Sequence, residues 1–211
     1  ESKTDKNPNI LVILIDDAGY NDFGFMGSKE MQTPNIDALT SEGVVFTDAH
    51  VAATVSSPSR ACLITGRYGH RFGYECNLSD RTNGLPLEEE TIAEVFKTNG
   101  YRTAAIGKWH LGSRDEQHPN NRGFDLFYGM KAGGRDYFYN EKKSDRPGDE
   151  RNLLLNDRQV KFEKYLTDAF SEKAVEFINE SSQPFMMYLA YNAVHTPMQA
   201  TDEDMAKFEG H

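Results

Sequence analysis

Asn9-Ile10-Leu11-Val12-Ile13-Leu14-Ile15-Asp16-Asp17 is the stretch that decides the fold. An unbroken aliphatic run from Ile10 to Ile15 ends abruptly in two acids. A run this short and this apolar suits a strand buried on both faces, as in a parallel sheet. It is far too short for the ~20 residues of a membrane-spanning helix. Two carboxylates at the end of a buried strand repel each other and resist desolvation unless a cation or bases compensate. Their hard oxygens suit Ca²⁺ or Mg²⁺, although on the pair alone one acid capping the next turn and the other facing water is the more ordinary outcome.

Outward from that run the pattern alternates. Residues 34–43, PNIDALTSEG, predict a short helix opened by Pro34 and stopped by Gly43, with Ile36 and Leu39 on one face. Residues 44–51, VVFTDAHV, predict a strand. LEEETIAEVFKTNG (87–100) predicts an amphipathic helix with Ile92, Val95 and Phe96 inward, and YRTAAIG follows as a strand. Residues 113–152, rich in Gly, Asp, Arg and Asn, read as a long loop region. A helix over 167–182, capped by Thr167 with Phe170, Ala174, Phe177 and Ile178 inward, precedes the buried strand PFMMYLAY (184–191). One more helix begins at TDEDMAKFE, while residues 1–8 read as a loose polar arm. Helix–strand alternation of this kind defines an α/β layer fold.

Composition excludes several functions. Of 211 residues, 23 are basic and 33 acidic, a net charge of −10, and no basic block occurs, which argues against general nucleic-acid binding. Cys62 and Cys76 allow at most one bridge and no four-thiolate zinc site. There is no G-x-S-x-G elbow and no H-E-x-x-H. Gly107-Lys108 is not a phosphate loop, because Trp109 stands where Ser or Thr is required.

The polar residues that remain follow strand ends: Asp16 and Asp17, then Lys108 and His110, then His195. In open α/β sheets ligands gather beyond the carboxyl ends of strands, so these groups predict one shared site. If the second strand runs on, Lys108 and His110 point to one face, an ammonium and an imidazole suited to hold an anion and move a proton. Ser56-Ser57-Pro58-Ser59-Arg60-Ala61-Cys62-Leu63-Ile64-Thr65-Gly66-Arg67 predicts a helix capped by Ser56 or Ser57 and ended at Gly66. Its free N–H groups and Arg60 favour an oxyanion, though an ordinary capped helix has the same sequence. The sole tryptophan, Trp109, reads as packing. Gly133-Gly134-Arg135-Asp136-Tyr137-Phe138-Tyr139 suits either a sugar subsite or a Gly-rich turn with aromatic packing.

Six segments in order, PNILVILIDD, TPNIDALTSEGVVFTDAH, SSPSRACLITGR, GYRTAAIGKWHLG, RGFDLFYG and NAVHTP, resemble the sulfatase family of the alkaline-phosphatase-like superfamily, over residues 9 to about 198. The resemblance implies an α/β fold with a mixed, largely parallel sheet flanked by helices. It implies hydrolysis of a sulfate ester of a sugar or polysaccharide, or of an aryl sulfate. Ser56 falls at the position that a maturation enzyme oxidises to formylglycine. Asp16 and Asp17, with Ser56, match ligands of a divalent cation, usually Ca²⁺ and alternatively Mg²⁺. Arg60, Lys108, His110 and His195 match the groups around the aldehyde hydrate and the sulfate. One hydroxyl of the hydrate would take the sulfate, and collapse of the other would release it, with His110 as base and His195, with or without Lys108, at the leaving oxygen. The family also implies a periplasmic or secreted location. Two further metal ligands and a lysine are expected beyond the His-Thr-Pro segment. Residues 9–211 are therefore expected to be the N-terminal part of a larger catalytic domain, incomplete at its C-terminal end. The competing readings are a phosphomonoesterase or phosphodiesterase of the same superfamily, and an inactive fragment.

Overall fold

Parallel pairing of apolar strands organises the chain. The computed structural model describes residues 7–77, 84–140 and 148–210. The opening aliphatic run forms β1 (Ile10–Leu14), which lies parallel to β6 (Phe185–Ala190), with Ile10 opposite Met186 and Leu14 opposite Ala190. β6 is flanked on its other side by β2 (Arg102–Lys108), and β2 by β3 (Leu126–Met130), all parallel. Two short antiparallel strands, β4 (Leu154–Leu155) and β5 (Arg158–Gln159), complete the order β1-β6-β2-β3-β4-β5. The helices are α1 (Pro34–Glu42), α2 (Ser56–Thr65), α3 (Ile92–Thr98), α4 (Leu166–Glu180) and α5 (Asp202–Ala206).

Strand alternation splits the core into two layers, because successive side chains leave a strand on opposite faces. On one face Ala105, Met186, Tyr188 and Ala190 meet Ala61 and Ile64 of α2 and Ala93 of α3. On the other, Ala104, Ile106, Met187 and Leu189 meet Phe170, Ala174 and Phe177 of α4. The result is the mixed, largely parallel sheet with flanking helices that the family resemblance implies, and the α/β layering that the sequence pattern predicts. At its C-terminal edge the strands approach closely. A Cβ on Gly107, whose φ is +108°, would lie 1.9 Å from the carbonyl oxygen of Ala190 in β6. Only glycine fits there.

Several expectations need correction. Among the described residues β1 pairs only with β6, and it is covered on one face only: Ile10, Val12 and Leu14 pack on the core, while Leu11 and Ile13 are 43% and 52% exposed rather than buried. Residues 44–51 form no strand, since a strand needs a neighbour to pair with, and Val44 and Phe46 stand exposed. α1 forms as predicted but buries no residue. α3 is shorter than 87–100, starting after a capping box in which the Thr91 side chain accepts from Glu94 N–H, and Val95 is exposed rather than inward. The 113–152 region contains β3, hidden in sequence by its charged flanks. Thr167 does not cap α4, which starts a residue earlier behind Tyr165, and Ile178 lies at its exposed margin. The proposed arm at 1–8 lies almost wholly outside the described residues.

Candidate active site

The site begins with how α2 starts. Val55, not a serine, is its N-cap residue. Both serines are thereby inside the first turn, and their hydroxyls are used elsewhere. The Ser57 N–H donates to Asn77 Oδ1 (2.9 Å), and the Ser57 hydroxyl lies 2.7 Å from both Tyr74 Oη and the His110 carbonyl oxygen. Gly66, at φ 65°, ends the helix in the left-handed conformation expected. Cys62 is buried and accepts from Gly69 N–H, Cys76 is exposed, and both are free thiols.

Arg60 is the hub. It is 1% exposed, and a cation so buried is costly unless opposite charge and oxygen acceptors face it. Its Nε donates to Ser56 Oγ (3.1 Å), and its Nη1 to the Lys108 carbonyl (3.0 Å) and to Tyr188 Oη (3.2 Å). Its Nη2 lies 3.1 Å from Asp16 Oδ1, an ion pair without hydrogen-bond geometry. Lys108, also 1% exposed, sets its Nζ 2.5 Å from the other oxygen, Asp16 Oδ2. One buried carboxylate thus faces two buried cations. Burial pulls the Lys108 ammonium below its usual range and neighbouring Arg60 pulls the same way, while Asp16 opposes both.

β2 stops at Lys108, so Lys108 and His110 do not share a strand face as expected. Instead His110 turns back with a positive φ of 55°, its N–H held by the Lys131 carbonyl and its carbonyl by Ser57. Trp109 is buried packing, as expected, edge-on to Phe124. His110 Nδ1 reaches Ser56 Oγ at 3.2 Å. Burial, reinforced by Lys108 and Arg60, pushes the His110 imidazole down to about 4. It is therefore neutral at pH 7 and can accept a proton. Since Ser56 Oγ already accepts from Arg60, its own hydrogen is free to point at His110 Nδ1.

Asp17 and His195 form the open side. Asp17, with φ 58°, is largely exposed, and its Oδ2 lies 3.9 Å from His195 Nε2. His195 Nδ1 donates to the Thr196 carbonyl (2.6 Å), which leaves Nε2 facing the cleft. A pocket of about 220 Å³ is lined by Asp16, Asp17, Ser56 and Arg60. All seven sequence-derived candidates therefore gather at one end of the sheet, with Ser56 among them. Sequence reasoning missed Ser57, Tyr74, Asn77 and Tyr188. Tyr188 carried a signal: a phenol inside a fully buried strand must find a partner.

The donors suit a hard divalent cation only in part. Asp16, Asp17 and Ser56 offer oxygens at the pocket wall, yet both Asp16 oxygens already face cations. Among the described residues no three His, Cys, Asp or Glu side chains cluster as a metal site, and Ca²⁺ takes six to eight oxygens. These residues fit half of such a site.

Fold and site together define an α/β protein of the alkaline-phosphatase-like type, with a hydroxyl-bearing residue at a helix start beside a buried cationic cluster. The chain belongs to the sulfatase family, whose profile, described as Sulfatase, matches residues 8–211. It is 38% identical to mouse arylsulfatase G, covering 92% of this chain and 42% of that protein. It is 32% identical to human N-acetylgalactosamine-6-sulfatase, over 92% of this chain and 41% of the relative. The crystal structure of Ps i-CgsB in complex with k-i-k-neocarrahexaose superposes with a TM-score of 0.90 at 44% identity, covering 97% of this chain and 49% of that one. BT4656 in complex with D-glucosamine-2-N,6-O-disulfate does so at 0.79 and 27% identity, over 96% of this chain and 38% of that one. The chain thus spans less than half the length of these relatives.

Proposed function

We propose that the protein hydrolyses a sulfate ester of a sulfated carbohydrate, with position 56 as nucleophile. The observation that carries this reading is the pair of contacts on Ser56 Oγ, from Arg60 Nε on one side and His110 Nδ1 on the other. Arg60 offsets negative charge at the reacting oxygen, and neutral His110 takes its proton. Likeness to proteins solved with a neocarrahexaose and with a disulfated glucosamine supports a sulfated sugar as substrate.

Conversion of Ser56 to formylglycine by a maturation enzyme would supply a second hydroxyl at this position, and with it a route for releasing sulfate. Asp16, Asp17 and Ser56 would contribute to holding a divalent cation, Ca²⁺ before Mg²⁺, together with ligands outside this chain segment. Lys108 Nζ is sealed against Asp16, whereas His195 stays partly open. His195 is therefore the group that reaches the bridging oxygen. As the S–O bond breaks, that oxygen keeps the bonding pair and takes the Nε2 proton of His195 in its imidazolium form, which leaves a neutral ring with its Nδ1–H still on the Thr196 carbonyl. A periplasmic or secreted location follows from the same reading.

The test is peptide mass at residue 56, which is lower by about 2 Da if the serine is oxidised, together with turnover of a sulfate and a phosphate ester of one chromogenic alcohol. Sulfate turnover abolished by Ser56→Ala supports the reading. Faster turnover of the phosphate ester sinks it.

A further inference from the structure

The two histidines follow different strands, β2 and β6, yet one segment touches both. β3 runs into residues 131–137, and the Met130 and Lys131 carbonyls accept from the Trp109 and His110 N–H groups (3.0 and 3.1 Å). Gly133 then passes against the His110 ring: a Cβ there would lie 2.6 Å from Cε1 and 2.7 Å from Nε2. Gly134 faces His195, with its would-be Cβ 3.4 Å from Cε1 and Nδ1. Tyr137, 1% exposed, directs its hydroxyl at the carbonyls of Asn192 (2.7 Å) and His195 (2.8 Å). Its ring stacks on Tyr165 and its N–H donates to Gln199 Oε1 at 2.8 Å, so the phenol is held from three sides.

We propose that residues 131–137 are a positioning template that sets His110 against position 56 and His195 against the leaving oxygen, with Gly133 and Tyr137 as its working contacts. Neither residue reaches the reacting atoms. Gly133 acts by leaving room for the His110 ring, and Tyr137 by tying the backbone on either side of residues 193–194 to the core. Asp16 exchanges backbone hydrogen bonds with Ala193 and Val194 (both 2.7 Å), and the tyrosine hydroxyl buried on two carbonyls fixes the turn that follows, up to His195. This inference rests on the sulfate-ester reading above.

The two contacts predict different kinetic signatures in the full-length enzyme, assayed on phenyl sulfate and 4-nitrophenyl sulfate. Nitrophenolate leaves without a proton, while phenolate needs one. Tyr137→Phe, which loosens His195, is expected to lower kcat at least tenfold on phenyl sulfate and less than threefold on 4-nitrophenyl sulfate, with KM within twofold for both. Gly133→Ala, which displaces the base at position 56, is expected to lower kcat at least tenfold on both esters alike. A role in folding alone would reduce both esters equally in Tyr137→Phe, and that result overturns the proposal. So does a Gly133→Ala enzyme with kcat within twofold of wild type. If wild-type enzyme releases sulfate from neither ester nor from a sulfated oligosaccharide, the sulfate-ester reading itself fails and the template falls with it.

Discussion

Replacing Asp16 by Asn tests whether this carboxylate is more than a prospective metal ligand. Its two oxygens meet Arg60 Nη2 at 3.1 Å and Lys108 Nζ at 2.5 Å, with both cations 1% exposed. Asp16→Asn removes the charge while keeping the shape. It leaves two buried cations uncompensated and turns an amide N–H₂ toward one of them. Removing one partner of a buried ion pair typically costs about 3–5 kcal/mol. At about 2–4 °C per kcal/mol for a domain of this size, the melting temperature should fall by roughly 6–20 °C. The loss should also depend on pH. Lys108 is already pulled down by burial, and without Asp16 it is pulled down further. The folded state then binds fewer protons than the unfolded one, so stability rises with pH and the deficit narrows toward alkaline pH. The control is Asp17→Asn, whose exposed side chain lies 3.9 Å from His195 and should change stability by less than about 1 kcal/mol. The assay is urea unfolding in excess chelator across pH 6 to 10. An Asp16→Asn protein as stable as wild type, or more so, would mean that the carboxylate only strains the apo site, and would refute the charge-pairing argument.

Other outcomes follow from the same geometry. His110 is depressed from 6.5 to about 4, so its neutral form belongs to the folded state. Stability is complete above pH 6.5 and is lost as pH falls through 4, by about 3 kcal/mol in total. His110→Gln should flatten that slope in acid titrations followed by fluorescence, and an unchanged slope would assign it to another group. Gly107→Ala should cost at least about 3 kcal/mol, because its methyl would enter the Ala190 carbonyl at 1.9 Å in a left-handed backbone. An unshifted urea midpoint would contradict the sheet register at that position.

How much of this was legible in the chain differs from element to element. β2, β6 and α4 were readable because their own periodicity matches the faces they bury. β3 was not, because its apolar residues sit between charged flanks and gain their meaning only from pairing with β2. The serines before Pro58 read as caps, since Ser favours that position. The tertiary fold overrides this by supplying Asn77 Oδ1 to the Ser57 N–H and using the Ser57 hydroxyl to hold His110. No spacing rule links residues 57, 77 and 110.

From the sequence alone came the class of fold, the sulfatase resemblance and each candidate group, because strand-end acids, bases and a Pro-Ser-Arg helix start are local patterns. Only the tertiary structure decided how those groups share charge. It sets both oxygens of Asp16 against Arg60 and Lys108, and it bends His110 back over Ser56 through a left-handed backbone. Those outcomes depend on atoms brought together from residues 16, 60, 108 and 188, and burial sets their strength. Distance and desolvation are properties of the folded chain, and no local pattern encodes them.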